Sequence, residues 1–351
     1  MTAHWPTSAS AARSNASNAP SRPGNPENED QSMPFHARPI AFKPVRLKGL
    51  SRDLIGSHYV NNYGGAVRRL NAIRGDLAAL DAATAPGFRL NGLKREELIA
   101  TNSMLLHEIY FDGLAGPSQG GGGQPDGALA AAIERDFGSL AKWRAEFVAM
   151  GKALGGGSGW VLLTRSPSRE NRGDGRLSNV WAADHTHGLA GGVPILALDM
   201  YEHSYHIDFG ANVGAYVDAF MDNLHWPRIA RRFAGEAAPA IPHLIDTPAA
   251  KAMLDAGVVV IDARLADDAI HMPMRLRGAL RAPPEKVDEV AASLPKGTKA
   301  LVYCAWGFEI GGDCAEKFRQ RGIDAVAIAG GIGAWRADGL PTEPHKEGEP
   351  S

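Results

Sequence analysis

The chain has 351 residues, more than one compact core usually holds, so a single small module is excluded and two domains are expected. With 44% hydrophobic residues, 22% charged residues and a formal net charge of -2, it has no electrostatic bias toward nucleic acid or an anionic membrane, and neither partner is expected. Two cysteines cannot build a disulfide framework; that suits a reducing, cytoplasmic setting and leaves each thiol to be weighed as core filler, nucleophile or redox group.

Residues 1–33 are rich in Ser, Ala, Asn and Pro with almost no large apolar side chain, and are expected to form a disordered tail. They lack the apolar core of a secretory signal, and Met33 is an alternative start. No apolar run approaches the ~20 residues that a membrane-spanning helix needs. From Leu47 to Asp81 the apolar positions recur with a helical period, interrupted at Tyr63-Gly64-Gly65, and Lys94 to Phe111 reads as a second helix. Gly113 and Gly116-Pro117 end that helix, the glycines of 119–127 form a loop, and Leu129 to Phe147 resumes an amphipathic helical pattern. The period then changes to short β-type runs, Gly159 to Leu163 and Leu177 to Trp181, which predict a hairpin. Val193 to Leu198 predicts a third strand before helical patterns return through Phe233. Residues 34–234 therefore read as an α+β domain, a helical hairpin followed by a small antiparallel sheet with helices.

Residues 235–243 read as an Ala/Pro linker. Beyond them the strands Val258 to Asp262, Ala300 to Cys304 and Ala325 to Ile328 alternate with helices at Pro284 to Leu294 and Gly312 to Arg321. Strands this apolar belong in a parallel sheet covered by helices, so residues 244–345 read as an α/β domain, with 346–351 a second disordered tail.

Four residues of the first domain suit a redox-active metal: His58 and His107 on two helices, and Asp199 with His203 just after a strand. An anionic oxygen favours the trivalent state of Fe or Mn, and neutral imidazoles keep the divalent state accessible. Taken singly, each His is more often a hydrogen-bonded core residue, and Asp199 could be a helix cap. Jointly, His58-Tyr59, Leu106-His107 and Asp199-Met200-Tyr201-Glu202-His203-Ser204-Tyr205, with Gly157-Ser158-Gly159-Trp160 and His225-Trp226, resemble the iron/manganese superoxide dismutase family. The resemblance implies one Fe or Mn ion per chain, held by His58, His107, Asp199 and His203, with Fe favoured. It also implies disproportionation of superoxide to dioxygen and hydrogen peroxide, and a homodimer in which Glu202 reaches across the interface. The family's usual glutamine donor has no counterpart at Ser103 or Ala183, and His185 takes that place.

The pattern also departs from the family. Ala66 stands at the gateway tyrosine, Phe111 and Tyr201 at two tryptophans, and Asn62 and His206 at a cross-subunit histidine and tyrosine pair, where a hydrogen bond with exchanged roles is expected. Tyr63 either replaces the gateway phenol or is an aromatic packed between helices. Variants of this kind resemble dismutase-like proteins encoded beside chromate-resistance transporters. An alternative is an oxidant-sensing or binding protein in which the altered channel has abolished turnover; a zinc hydrolase would need a general base, for which only Glu202 is near in sequence.

In the second domain, Cys304 ends a strand and precedes a loop and a helix, where amide N–H groups can stabilise a thiolate. Val259 to Arg264, Val302 to Gly307 and Ala329 to Pro341 resemble a single rhodanese-like domain, which implies that Cys304 carries sulfur within a loop containing Trp306, Gly307 and Glu309. Glu309 stands where the family has a cation, so anionic acceptors are disfavoured unless Arg275 or Arg277 compensates. Cys314 is either a buried helical residue or a resolving thiol for oxidised Cys304. Arg228, Arg231 and Arg232 read as a solvated helix end.

Overall fold

In the computed structural model the first helical stretch divides into α1 (Arg52–Ser57), a π-helical segment (His58–Tyr63) and α2 (Gly64–Ala78). Ser51 caps α1, its hydroxyl accepting from the Leu54 N–H at 3.0 Å. Helix α3 (Gly87–Asp112) pairs with α2 in a helical hairpin and begins before the predicted Lys94, because Pro86 at its N-cap fixes an earlier entry. The structure describes residues 34–167, 175–237, 244–307 and 309–344, with only the backbone of Glu309. The predicted tails, the hairpin tip and most of the linker lie outside the described residues.

Helices α4 (Gly127–Phe137) and α5 (Leu140–Ala153) lead to β1 (Trp160–Arg165), β2 (Leu177–Ala182) and β3 (Val193–Asp199). These form an antiparallel sheet with β1 in the middle, Trp160 lying opposite Ala182 and Asp199. Three short helices complete this lobe: α6 (His206–Phe209), α7 (Val213–Asp222) and α8 (Trp226–Ala234).

The second lobe comprises β4 (Leu244–Ile245), α9 (Thr247–Asp255), β5 (Val259–Asp262), α10 (Ala266–His271), β6 (Met274–Arg275), β7 (Leu280–Arg281), α11 (Val287–Ser293), β8 (Lys299–Tyr303), α12 (Glu309–Gln320), β9 (Asp324–Ile328), α13 (Gly331–Ala337) and β10 (Glu343–Pro344). Five strands form a parallel sheet in the order β4-β9-β8-β5-β7, and β10 pairs with β6 separately. The two-residue strands β4 and β7 are too short to carry a periodicity in sequence. Residues of this lobe, Tyr303, Trp306, Ile332 and Trp335 among them, belong to the same hydrophobic cluster as the core of the first lobe. Among the described residues no helix is long and apolar enough to cross a membrane.

The arginines of α8 depart from expectation. Arg228 is only 7% exposed, Arg232 pairs with Asp112 and donates to the Ile195 carbonyl, and Arg228 Nε donates to His225 Nδ1 at 3.1 Å. This helix end is therefore tied into the protein rather than solvated.

Candidate metal centre

His58 opens the π-helical segment, a backbone irregularity of the kind that concentrates at functional sites. His107 lies on the buried face of α3, and its Nδ1–H donates to the Ser103 carbonyl one turn back at 2.6 Å. That bond leaves the Nε2 lone pair pointing away, and Nε2 is buried without a hydrogen-bond partner. Asp199 ends β3, and three groups pin it there. Tyr216 and Ser204 hydroxyls donate to its carbonyl at 2.7 and 2.9 Å, and the Tyr201 N–H donates to its Oδ1 at 2.9 Å. His203 follows in the 3-10 turn Glu202–Ser204.

The ligand atoms of His58, His107, Asp199 and His203 all lie within 4.8 Å of one another. Asp199 Oδ2 is 3.1, 3.5 and 3.2 Å from Nε2 of His58, His107 and His203. Three of the residues are fully buried and His203 is partly exposed, so the cage opens on one side only. Three nitrogens converging on one carboxylate oxygen, with the His107 Nε2 orphaned, form a donor set that fits a cation with nitrogen and oxygen preferences, as iron and manganese have.

Protonation favours the same role. Burial depresses the His58 imidazole, and burial together with the neighbouring His58 takes His107 down to about 3. Burial alone would raise the Asp199 carboxyl, but proximity to His203 and His58 outweighs it and holds the group well below the usual carboxylate range. His58 and His107 are thus neutral imidazoles beside an ionised Asp199 at neutral pH. An unfolded histidine protonates near 6.5, whereas buried His107 resists down to about 3, so the metal-free chain loses stability as pH falls through that window. The expected loss is up to about 1.4 kcal/mol per pH unit from this residue. Denaturant melts of chelator-treated protein at pH 7 and pH 5 check the slope; equal midpoints would contradict it.

A funnel of about 370 Å³ reaches the centre, lined by Asn62, Ala66, Arg69, Ser103, His185 and Tyr201 along with the ligands His107 and His203. His185 is half-buried, and its Nδ1 accepts from the Trp160 indole N–H at 3.0 Å, which leaves its own proton on Nε2. Its ring stacks on Tyr201 at 4.9 Å, and Tyr201 stacks on His203 at 5.5 Å. Arg69 was not among the residues singled out from sequence, although it lies one helical turn beyond Ala66 on α2 and so shares its face.

Tyr63 is not among the residues that line the funnel, although its ring lies 6.2 Å from that of His107. Its hydroxyl donates to Glu108 Oε1 at 3.1 Å and accepts from the Arg38 N–H at 2.7 Å, which turns it into a separate cavity of about 1420 Å³. Glu202 and His206 are exposed on the first lobe, and Asn62 is partly buried.

In the second lobe Cys304 follows β8 and is 4% exposed, its sulfur accepting from the Gly307 N–H at 3.2 Å. Trp306 is 5% exposed. Arg275 Nε donates to Glu343 at 3.0 Å and Arg277 is exposed, while the Glu309 side chain that they would compensate lies outside the described residues. Burial raises the Cys314 thiol to about 11, which disfavours it as a resolving thiolate.

Residues 125–232 match the family described as iron/manganese superoxide dismutases, C-terminal domain. An iron superoxide dismutase of Cupriavidus metallidurans is 67% identical over 202 residues, covering 58% of this chain and 98% of that protein. A manganese superoxide dismutase of Halobacterium salinarum is 43% identical over 129 residues, 36% of this chain and 59% of its own length. An iron enzyme of Aquifex aeolicus is 34% identical over 197 residues, 54% of this chain and 87% of its own length. With a three-histidine, one-aspartate cage open only beside His203 and a relative matched over nearly its whole length, the chain belongs to the iron/manganese superoxide dismutase family.

Proposed function

We propose that the chain disproportionates superoxide into dioxygen and hydrogen peroxide, using one iron or manganese ion per chain held by His58, His107, Asp199 and His203. The observation that carries this reading is the convergence of three imidazole nitrogens, two of them on fully buried rings, on Asp199 Oδ2 within 3.5 Å. Bound there, the metal supplies alternating one-electron oxidation and reduction of the substrate anion. Iron is favoured over manganese, in keeping with the iron enzyme that is 67% identical.

Residues of the chain do the remaining work. Arg69 offers the approaching anion a cation at the funnel, although it shares its charge with Glu96. Tyr201 and Trp160 fix the His185 ring, and its Nε2–H is the proton poised to donate toward the site. His185→Ala should keep its metal and lose about 100-fold in dismutation, the lower range for a positioned proton donor. Activity of the metal-loaded variant within twofold of wild type would remove His185 from this role.

The exposed Glu202 and His206 support a homodimer in which Asn62 of one protomer meets His206 of its partner. Reduced thiols suit a cytoplasmic setting. We read the second lobe as rhodanese-like, with Cys304 its sulfur carrier. The parallel sheet supports this, as does the placement of Cys304 at the end of a central strand under the Gly307 amide. While Cys304 stays buried, sulfur transfer from thiosulfate to cyanide is expected near background. Turnover typical of an accessible thiol would show that the loop opens freely.

A further inference from the structure

The loop after Cys304 does more than close its own lobe. Trp306 leaves the second lobe and packs on the helix that carries His58. A Cβ added at Gly56 would lie 3.6 Å from its ring, and the Tyr59 ring meets it edge-on with centroids 6.0 Å apart. Tyr59 in turn meets Phe111 edge-on at 5.4 Å, and Phe111 packs on His58 at 5.0 Å and stacks with His107 at 6.4 Å. All three rings of this chain are at most 5% exposed. The contact is built from both sides. On the second lobe, a Cβ at Gly333 would come within 2.7 Å of the Trp306 ring, so only glycine admits the indole there. On the first lobe, a Cβ at Gly64 would come within 2.5 Å of the Ala337 backbone, and Arg68 donates to the Ala337 carbonyl.

We propose that Trp306 is a positioning residue for the metal centre: the second lobe completes the aromatic wall behind His58 and His107 and so excludes water from the back of the ligand cage. The inference rests on the dismutase reading and adds a role for the appended lobe within it. Apolar packing behind ligands controls solvent access and local dielectric, and with them ligand orientation and metal retention. Tyr59 can hold Phe111 against the two histidines only while its far side is covered, and Trp306 provides that cover.

The test uses the full-length, iron-loaded chain and reads two quantities: the rate at which a chelator strips iron, and the visible absorption of the ferric centre. Trp306→Ala is expected to release iron on the order of tenfold faster, within the range for outer-shell changes, with a shifted absorption band. Trp306→Phe should restore both readouts to within about twofold. Arg52→Ala serves as the control, since it breaks another contact between the lobes, the ion pairs with Asp267 and Asp268, away from the aromatic wall. It should leave both readouts as in wild type. If Trp306→Ala does not fold, Trp306→Leu takes its place. Release and absorption unchanged in the Trp306 variant would overturn the inference, and so would equal acceleration in Arg52→Ala, which would mark a general loss of stability. A wild-type chain that takes up no iron would overturn the dismutase reading as well.

Discussion

Asp199→Asn is expected to strip the chain of its metal and reduce superoxide dismutation to the uncatalysed background. The substitution keeps the shape and the Oδ1 acceptor that receives the Tyr201 N–H, so β3 should still end as it does. What it removes is the anionic oxygen facing three Nε2 atoms at 3.1 to 3.5 Å. Without that charge nothing in the cage favours a trivalent ion, and an amide NH₂ in its place would meet nitrogen lone pairs. Changes outside the ligand shell alone cost 10- to 100-fold in metal affinity, so loss of a ligand's charge should cost at least on the order of 100-fold. Elemental analysis and circular dichroism on the same sample check it. A folded variant with one metal per chain and wild-type activity would sink the ligand assignment.

Asp262→Ala is expected to be the most destabilising single change in the second lobe, at about 3–5 kcal/mol. Arg264 is fully buried, and both its Nε and its Nη2 donate to the Asp262 carboxylate, the latter at 2.5 Å. Its remaining Nη1 donates to the Met272 and Met274 carbonyls at 2.5 and 3.0 Å, tying the chain before β6 to the end of β5. Removing the carboxylate takes from this buried guanidinium the countercharge that its Nε and Nη2 face. Replacing both partners, Asp262→Ala with Arg264→Met, should recover much of the loss, because the buried cation goes with its partner. Denaturant melts compare the three proteins. A loss below about 1 kcal/mol in the single variant would show that the pair contributes little. Since Val260 and Tyr303, on β5 and β8, belong to the hydrophobic cluster that both lobes share, the whole transition should shift rather than one half of it.

Much of the metal site was legible in sequence because its information is local. The four ligands sit in short segments whose neighbours also match the family, and the bond that fixes the His107 tautomer runs to Ser103, one helical turn away. What escaped depends on distant partners. The partners of the Tyr63 hydroxyl, Glu108 and the Arg38 N–H, lie 45 and 25 residues away, and no local pattern announces them. Arg232 looked solvated because Asp112, its counterion, lies 120 residues earlier. Trp306 read as part of a sulfur loop, and nothing local says that its ring is buried against Gly56 and Tyr59. The parallel sheet was visible through its apolar strands, while β4 and β7, two residues each, were not.

The account is tested most directly by metal content and superoxide dismutation measured together on one purified sample of the full chain, with His107→Ala alongside. It predicts about one iron or manganese per chain with dismutase activity, and both lost in the variant. Stoichiometric metal without dismutation in the wild-type chain would contradict it, and would point to the open funnel beside Ala66 and Asn62 as a binding site rather than a catalytic one.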